Sequence, residues 1–133
     1  MQTRRFETEV RERDGAVSIA LHGQIDVHAE DAMHQAYAQA AGVRGRVLVL
    51  DFRDVDYINS TGIALIVRLL ADARAAGLQL RAFGLSRHYR EIFEITRLSD
   101  FIGVYADEAA ALAAGGDNDT SAGGPSDAAG GRP

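Results

Sequence analysis

The chain has 133 residues, no cysteine and a formal net charge of −5 at pH 7. This length fits one domain with a single hydrophobic core. The absence of cysteine excludes disulfides, thiol catalysis and zinc–thiolate sites. The acidic balance argues against general nucleic-acid binding, because phosphate backbones are held by clusters of basic side chains and this chain has no basic stripe.

Hydropathy and the first residues indicate where the protein resides. No segment approaches the roughly 18 consecutive apolar residues that a membrane span requires. Residues 1–7 lack the apolar stretch of a signal peptide. We therefore expect a soluble, cytoplasmic protein that does not insert directly into a membrane.

The chain opens with a predicted β-hairpin, which a helix follows. Apolar and polar residues alternate over 6–11 and again over 17–21, with a turn at Asp14-Gly15 between them. A helix is predicted over 28–41, because apolar residues recur there at helical spacing. The positions of that apolar stripe are Ala29, Ala32, Met33, Ala36, Tyr37 and Ala40.

The middle of the chain combines a buried strand with a long apolar helix. The uninterrupted aliphatic run VLVL over 47–50 predicts a strand over 46–52 that is buried on both faces. A loop is predicted over 53–59, followed by a helix over 61–76 that ends at Gly77. The helical spacing is carried by Ile63, Ile66, Val67 and Leu70.

The remaining elements alternate between strand and helix. A strand is predicted over 78–83, then a third helix capped by Ser86, a short strand over 102–105 and a helix over 107–113. Residues 114–133 are mostly Gly, Ala, Asp and Ser without aliphatic periodicity, so they cannot repay the entropy of ordering. We expect one domain over 1–113 and a disordered tail over 114–133.

This order of elements predicts an α/β domain with a mixed central sheet, an N-terminal hairpin and about four helices. The later strands are expected to be parallel, because βαβ crossovers are right-handed. Binding sites in such sheets gather at loops that follow the carboxyl ends of strands. Two loops qualify, over 23–28 and 53–61.

Ser60 lies where the predicted buried strand gives way to the second helix. Ser60 or Asn59 is expected at the helix N-cap, where backbone N–H groups lack partners and the helix dipole favours negative charge. Such a site accommodates a phosphate. Ser, Thr and Asn are also ordinary capping residues without chemistry, and this structural role is the competing interpretation.

The surface predicted around Ser60 is mostly apolar. An unmodified serine on such a lip can be buried against a partner at little cost, whereas phosphorylation adds about −1.5 to −2 charges and opposes burial. The predicted lip consists of Val27, Tyr57, Ile58, Ile63 and Ala64.

The second helix also carries an outward stripe that is small near Ser60, which would let a partner approach closely. The competing interpretation is a solvated face with an ion pair between Arg68 and Asp72. The stripe consists of Thr61, Ala64, Arg68, Asp72 and Ala75.

Catalysis, metal binding and nucleotide hydrolysis have weaker support. Asp26, His28 and Ser60 could form a hydrolase triad, but the Gly-x-Ser-x-Gly motif is absent. The four histidines lack metal-ligand spacing, and there is no Gly-rich phosphate loop, so no metal or cofactor is expected. The basic residues of 87–90 could contact an acidic partner or simply face solvent.

Several segments together resemble the STAS family of bacterial anti-sigma factor antagonists. The most specific is VDYINSTGI over 55–63, in which Asn, Ser, Thr and Gly open a helix after a buried strand. It is accompanied by GQID over 23–26, VLDF over 49–52, FGLS over 83–86 and FEITRL over 93–98. The resemblance covers roughly 6–112 and implies a STAS-like fold.

The resemblance also implies a role for Ser60. In this family the matching serine is phosphorylated by a partner anti-sigma factor that is itself a serine kinase. The unphosphorylated antagonist binds that kinase and frees a sigma factor, and a PP2C-type phosphatase removes the phosphate. Carried over, Ser60 is the phosphoacceptor, and the implied partner-binding residues are Asp26, Val27, His28, Tyr57, Ile58, Asn59, Thr61, Gly62, Ile63, Ala64 and Arg68.

The chain departs from the family at two positions. Asn59 stands where the family often has aspartate, so a capping oxygen is kept while a negative charge beside the acceptor is lost. Ala29 stands where many members carry threonine. Neither departure is expected to disturb the fold.

A second possible function, of another class, is that of a binding module that no phosphorylation switches. Stand-alone STAS-like domains also serve as scaffold subunits of stress-signalling assemblies and as small partners of lipid transporters. In both interpretations the chain is a binding module and not an enzyme. In the first, Ser60 is the substrate of another protein's activity.

Overall fold

The computed structural model describes residues 5–13, 15–42 and 47–113. They form a five-stranded sheet in the order β1-β2-β3-β4-β5. β1 and β2 are antiparallel, and every later pair is parallel, which confirms the predicted mixed α/β fold. The strands are β1 Glu7–Arg13, β2 Ala16–Ile25, β3 Val47–Ile58, β4 Gln79–Phe83 and β5 Gly103–Tyr105. The predicted tail over 114–133 and Asp14 of the predicted turn lie outside the described residues.

The helices follow the predicted order, with one refinement at the first. The helix predicted over 28–41 begins as a short 3-10 helix, Val27–Ala29, before continuing as α1, Glu30–Ala41. Gly77 ends the second helix with φ of 78°, a conformation that glycine adopts without steric cost. The other helices are α2 Ser60–Ala75, α3 Arg87–Ile95, a 3-10 helix Leu98–Asp100 and α4 Glu108–Ala113.

The sheet is buried on both faces at β3. Successive strand residues point to opposite faces. Leu48 and Leu50 therefore enter the larger core, which α1, α2 and α3 cover, whereas Val49 packs with Phe83 and Ala111 of α4 in a smaller core. This two-sided burial confirms the prediction drawn from the aliphatic run.

The loop predicted over 53–59 is wrong, because β3 continues to Ile58. β4 pairs with β3 only as far as Asp51, so the second half of β3 has β2 as its paired neighbour. Arg53, Asp54 and Asp56 are exposed there, which explains a polar sequence within a strand. The pairing with β2 also has register shifts at Ala20/His22 and Gly23/Gln24, which break the alternation expected of a regular strand.

The two edges of the sheet differ in how they are protected. β1 alternates charged and partly buried residues and leaves Glu7, Glu9 and Arg11 exposed. β5 has only three residues. In the described ranges, no helix combines the length and hydrophobicity needed to cross a membrane.

Candidate functional site

Two strand ends lie side by side at one edge of the sheet. Ile25 at the end of β2 and Ile58 at the end of β3 are register partners, so Asp26 and Asn59 occupy equivalent positions on neighbouring strands. Each of these two residues starts a helical segment. The two loops that sequence reasoning selected therefore meet, as expected for the carboxyl ends of parallel strands.

Each of the two helical segments has a side-chain cap. The Asp26 Oδ1 accepts a hydrogen bond of 2.9 Å from the His28 N–H. The Asn59 Oδ1 accepts one of 2.8 Å from the Gly62 N–H. Two sets of N-terminal backbone amides thus lie close together, and both carry partial positive charge.

Ser60 is the first residue of α2 and is exposed, while Asn59 is the N-cap. This assignment resolves the two possibilities that the sequence left open. Within the described ranges the Ser60 hydroxyl makes no hydrogen bond, so its oxygen takes no part in capping. The hydroxyl is accessible at the helix start.

Gly62 lets α2 approach β2 at backbone distance. A Cβ added at Gly62 would overlap the carbonyl group of Ile25 and come within 2.9 Å of the Ile58 side chain. The Asn59 N–H donates to the Ile25 carbonyl oxygen at 3.3 Å on the same side. The start of α2 is therefore held against the end of β2 without intervening side chains.

The surroundings of Ser60 are partly apolar and exposed. Val27 is 56% exposed and Tyr57 is 50% exposed, and both belong to the predicted lip. Thr61 and Ala64 are exposed, whereas Ile63 is partly buried against the core. The lip therefore has two large apolar members with small residues beside them.

Ile58 does not belong to the exposed lip. Its side chain is 5% exposed and packs in the main core, because it points to the opposite face of β3 from Tyr57. Gly62 is buried as well. These two residues position the turn from within and are not accessible at the surface.

The remaining predicted residues lie farther along the two helical segments. His28 is exposed in the 3-10 helix. Arg68 is exposed on α2, eight residues beyond Ser60 and thus about 12 Å along the helix axis. It lines a cleft of about 240 Å³ between α1 and α2 together with Glu30, Asp31, Met33, His34, Tyr37, Leu65, Leu69 and Asp72.

Tyr37 holds one wall of this cleft. Burial, with a smaller contribution from Asp72, raises the pKa of Tyr37. The phenol therefore keeps its proton and donates a hydrogen bond of 3.0 Å to the Asp72 backbone carbonyl, which ties α1 to α2. Among the described residues, no group of three His, Asp or Glu side chains could hold a metal ion.

Tyr89 on α3 is a site residue that sequence reasoning missed. Its Oη accepts a hydrogen bond of 2.8 Å from the Ile58 N–H, immediately before the cap of α2. The sequence predicted the third helix, on which Tyr89 lies, but not this contact. The available signal was a tyrosine at a buried position, since a buried phenol requires a polar partner.

A family model for the STAS domain matches residues 7–111. The chain belongs to the STAS domain family. The anti-sigma-B factor antagonist of Listeria monocytogenes serovar 1/2a is 35% identical over 95 residues, which cover 71% of this chain and 83% of that protein. The resemblance drawn from the sequence motifs is thereby confirmed.

Solved structures share the STAS fold. An anti-sigma factor antagonist from Mycobacterium paratuberculosis has a TM-score of 0.71 at 22% identity, covering 83% of this chain and 93% of that chain. The Bacillus cell fate determinant SpoIIAA in its phosphorylated form has a TM-score of 0.61 at 20% identity, covering 83% of this chain and 99% of that chain. Both likenesses extend over nearly the whole of the solved chains.

The structure shows the surroundings of Asn59 and Ala29, the two residues at which this chain differs from the family pattern. Asn59 keeps the capping oxygen, as expected, through its bond with the Gly62 N–H. Ala29 is completely buried at the junction of the 3-10 helix and α1. A threonine at that position would bring a hydroxyl into the core, where it would need a hydrogen-bond partner.

Proposed function

We propose that this STAS chain is an anti-sigma factor antagonist switched by phosphorylation of Ser60. In its unmodified state it binds an anti-sigma factor serine kinase and so releases a sigma factor. Phosphorylation of Ser60 ends this binding, and a PP2C-type phosphatase restores it. The observation that carries the proposal is the exposure of Ser60 at the start of α2. Asn59, and not Ser60, caps this helix.

Two further observations support the assignment. The Listeria monocytogenes relative carries the name anti-sigma-B factor antagonist, and its similarity covers 71% of this chain. Val27 and Tyr57 offer exposed apolar area beside Ser60, as a protein-binding surface requires. We assign the partner-binding role to these residues together with Asp26, His28, Asn59, Thr61, Ile63, Ala64 and Arg68.

The free protein tolerates a phosphate at Ser60. The amides at the start of α2 and the helix dipole stabilise negative charge there by about 0.3–1 kcal/mol. Asn59 is neutral, so the phosphate meets no carboxylate at the cap position itself. The modified chain therefore keeps its fold.

The complex does not tolerate the phosphate. A surface that buries Val27 and Tyr57 also strips water from Ser60, and phosphorylation puts about −1.5 to −2 charges there. Burying such a group without a paired cation costs several kcal/mol, and each 1.4 kcal/mol is a tenfold loss of affinity. The switch is thus an electrostatic one at a preformed surface.

The test is phosphorylation by a purified anti-sigma factor serine kinase. The purified chain is incubated with that kinase and Mg-ATP, and mass spectrometry locates the phosphate. We expect one phosphate, on Ser60, and none on Ser60→Ala. The matched control is Thr96→Ala, which removes an exposed hydroxyl at the end of α3, outside the residues assigned to partner binding, and should be phosphorylated like the unaltered chain.

Two results would contradict the proposal. The first is phosphate on another residue, or none, with a kinase shown to be active on a second substrate. The second is that Ser60→Asp binds the kinase as tightly as Ser60→Ala. That result would instead favour a non-switching scaffold or transporter subunit that uses the same apolar surface.

A further inference from the structure

The strand that leads to Ser60 lacks a neighbour on one side. β4 pairs with β3 over Val47 to Asp51 only, whereas β2 follows β3 to its end at Ile58. Beyond Asp51, one edge of β3 therefore faces no partner strand in the described residues. A backbone N–H on that edge needs another acceptor, because an unpaired buried amide is costly.

The Ile58 N–H is such a group. The next amide along the chain, that of Asn59, donates toward β2 at the Ile25 carbonyl. Since successive backbone amides of a strand point in opposite directions, the Ile58 N–H points away from β2. Tyr89 occupies that side and accepts the bond at 2.8 Å, with the hydroxyl also 3.5 Å from the Ile58 carbonyl oxygen.

Tyr89 is itself firmly placed. It is 9% exposed, and its backbone N–H donates to the Ser86 Oγ at 3.2 Å in the cap of α3. On the same helix, the Phe93 ring meets the Phe52 ring edge-on with centroids 6.0 Å apart. Helix α3 therefore contacts this half of β3 near both ends and takes the place of the absent strand.

We propose that Tyr89 is a positioning residue for the phosphoacceptor. The phenol fixes the Ile58 amide, which fixes the Asn59 cap that follows, and so sets where the Ser60 hydroxyl stands relative to an incoming kinase. Its effect on phosphorylation rests on the proposed function of Ser60. Its effect on the geometry of the turn does not.

The test compares Tyr89→Phe with a control of similar stability cost. Tyr89→Phe keeps the ring and removes the acceptor for the Ile58 N–H. Val49→Ala removes two methyl groups from the smaller core on the other face of the sheet. Hydrogen exchange measured by NMR should rise about tenfold or more at Ile58, Asn59 and Gly62 in Tyr89→Phe, and less than that in Val49→Ala.

Phosphorylation kinetics give the second readout. We expect Tyr89→Phe to lower kcat for phosphoryl transfer to Ser60 by about tenfold, with KM nearly unchanged, because the hydroxyl is misplaced while the docking surface persists. Ser86→Ala removes the cap of the helix that carries Tyr89. It should raise hydrogen exchange and lower kcat as Tyr89→Phe does, but by smaller amounts. It serves as the test variant if Tyr89→Phe fails to fold.

The outcomes separate the two proposals. Equal slowing by Tyr89→Phe and Val49→Ala would overturn the positioning role, because general destabilisation would then explain both. Unchanged exchange at Ile58 and Asn59 would overturn it as well. If the unaltered chain is not phosphorylated on Ser60, the proposed function fails, and the exchange measurement still decides whether Tyr89 holds the turn.

Discussion

Asn59 and Ser60 divide the tasks at the start of α2. A serine that served as the N-cap would direct its oxygen at the helix amides and would have to leave them to react. Here the Asn59 amide oxygen binds the Gly62 N–H, and Ser60 stands one residue later with its hydroxyl exposed. The neutral Asn59 side chain therefore caps the helix, and the Ser60 hydroxyl has no capping role, as the proposed phosphorylation requires.

Gly62 yields a prediction about stability. In Gly62→Ala the added methyl group overlaps the Ile25 carbonyl, so the start of α2 must move away from β2. We expect the free energy of unfolding to fall by about 1–3 kcal/mol, despite the better helix propensity of alanine. Urea denaturation followed by circular dichroism measures the change.

Gly42→Ala is the matched control for that substitution. Gly42 has a negative φ, and a Cβ there would come no closer than 3.6 Å to its neighbours. The free energy of unfolding of Gly42→Ala should stay unchanged or rise by about 0.4–1 kcal/mol, because alanine restricts the unfolded chain more than glycine does. An equal loss of stability in Gly62→Ala and Gly42→Ala would contradict the explanation that Gly62 is required for the close contact between α2 and the β2 backbone.

At the scale of elements, hydropathy predicted most of the fold. The aliphatic run of β3, the helical spacing of α2 and the cap at Ser86 were all read from neighbouring residues, and each was correct. The second half of β3 was predicted as a loop because it carries charged residues. These residues are exposed because β4 pairs with β3 only as far as Asp51. No local pattern in the sequence reports where a neighbouring strand stops.

The candidate site was predictable in the same uneven way. Sequence patterns located Ser60, Asn59 and the loop around Asp26, because capping residues and strand ends have local signatures. Tyr89 could not be assigned, since its bond to the Ile58 amide joins residues 31 positions apart. Ile58 was predicted to be on the exposed lip because residues 53–59 were predicted to form a loop. They continue β3 as far as Ile58, and the alternation of strand side chains turns Ile58 into the core.

The pairing of the two helix starts leads to a prediction about binding. Val27→Ser combined with Tyr57→Ser removes the two large exposed apolar side chains beside Ser60. We expect the affinity for the kinase to fall about tenfold or more, because central apolar contacts dominate such interfaces. The free energy of unfolding should change by less than about 0.5 kcal/mol per site, since neither side chain is in the core.

Ile95→Ser is the control for the binding measurement. Ile95 is 80% exposed at the end of α3, six residues beyond Tyr89. Isothermal titration calorimetry of the two variants should show nearly unchanged affinity for Ile95→Ser. A comparable loss in both would mean that the partner reads exposed apolar area in general and does not depend on the surface next to Ser60.

The whole molecule should respond to phosphorylation as a rigid body. Two side-chain caps, the close contact at Gly62 and the Tyr89 bond hold the site at four points. We expect chemical-shift changes on phosphorylation to stay within 25–28 and 57–64, and the free energy of unfolding to change by about 1 kcal/mol or less. Shifts spreading to α4, on the opposite face of the sheet, would contradict this picture.

The edges of the sheet have a consequence for signalling. The charged side chains of Glu7, Glu9 and Arg11 and the three-residue length of β5 make both edges poor templates for a strand from another copy. Copies of the chain thus gain little by pairing through these edges, and under the proposed function each molecule would be phosphorylated independently of the others. A population of such molecules would register the balance of kinase and phosphatase as a graded fraction of modified chains, without cooperative thresholds.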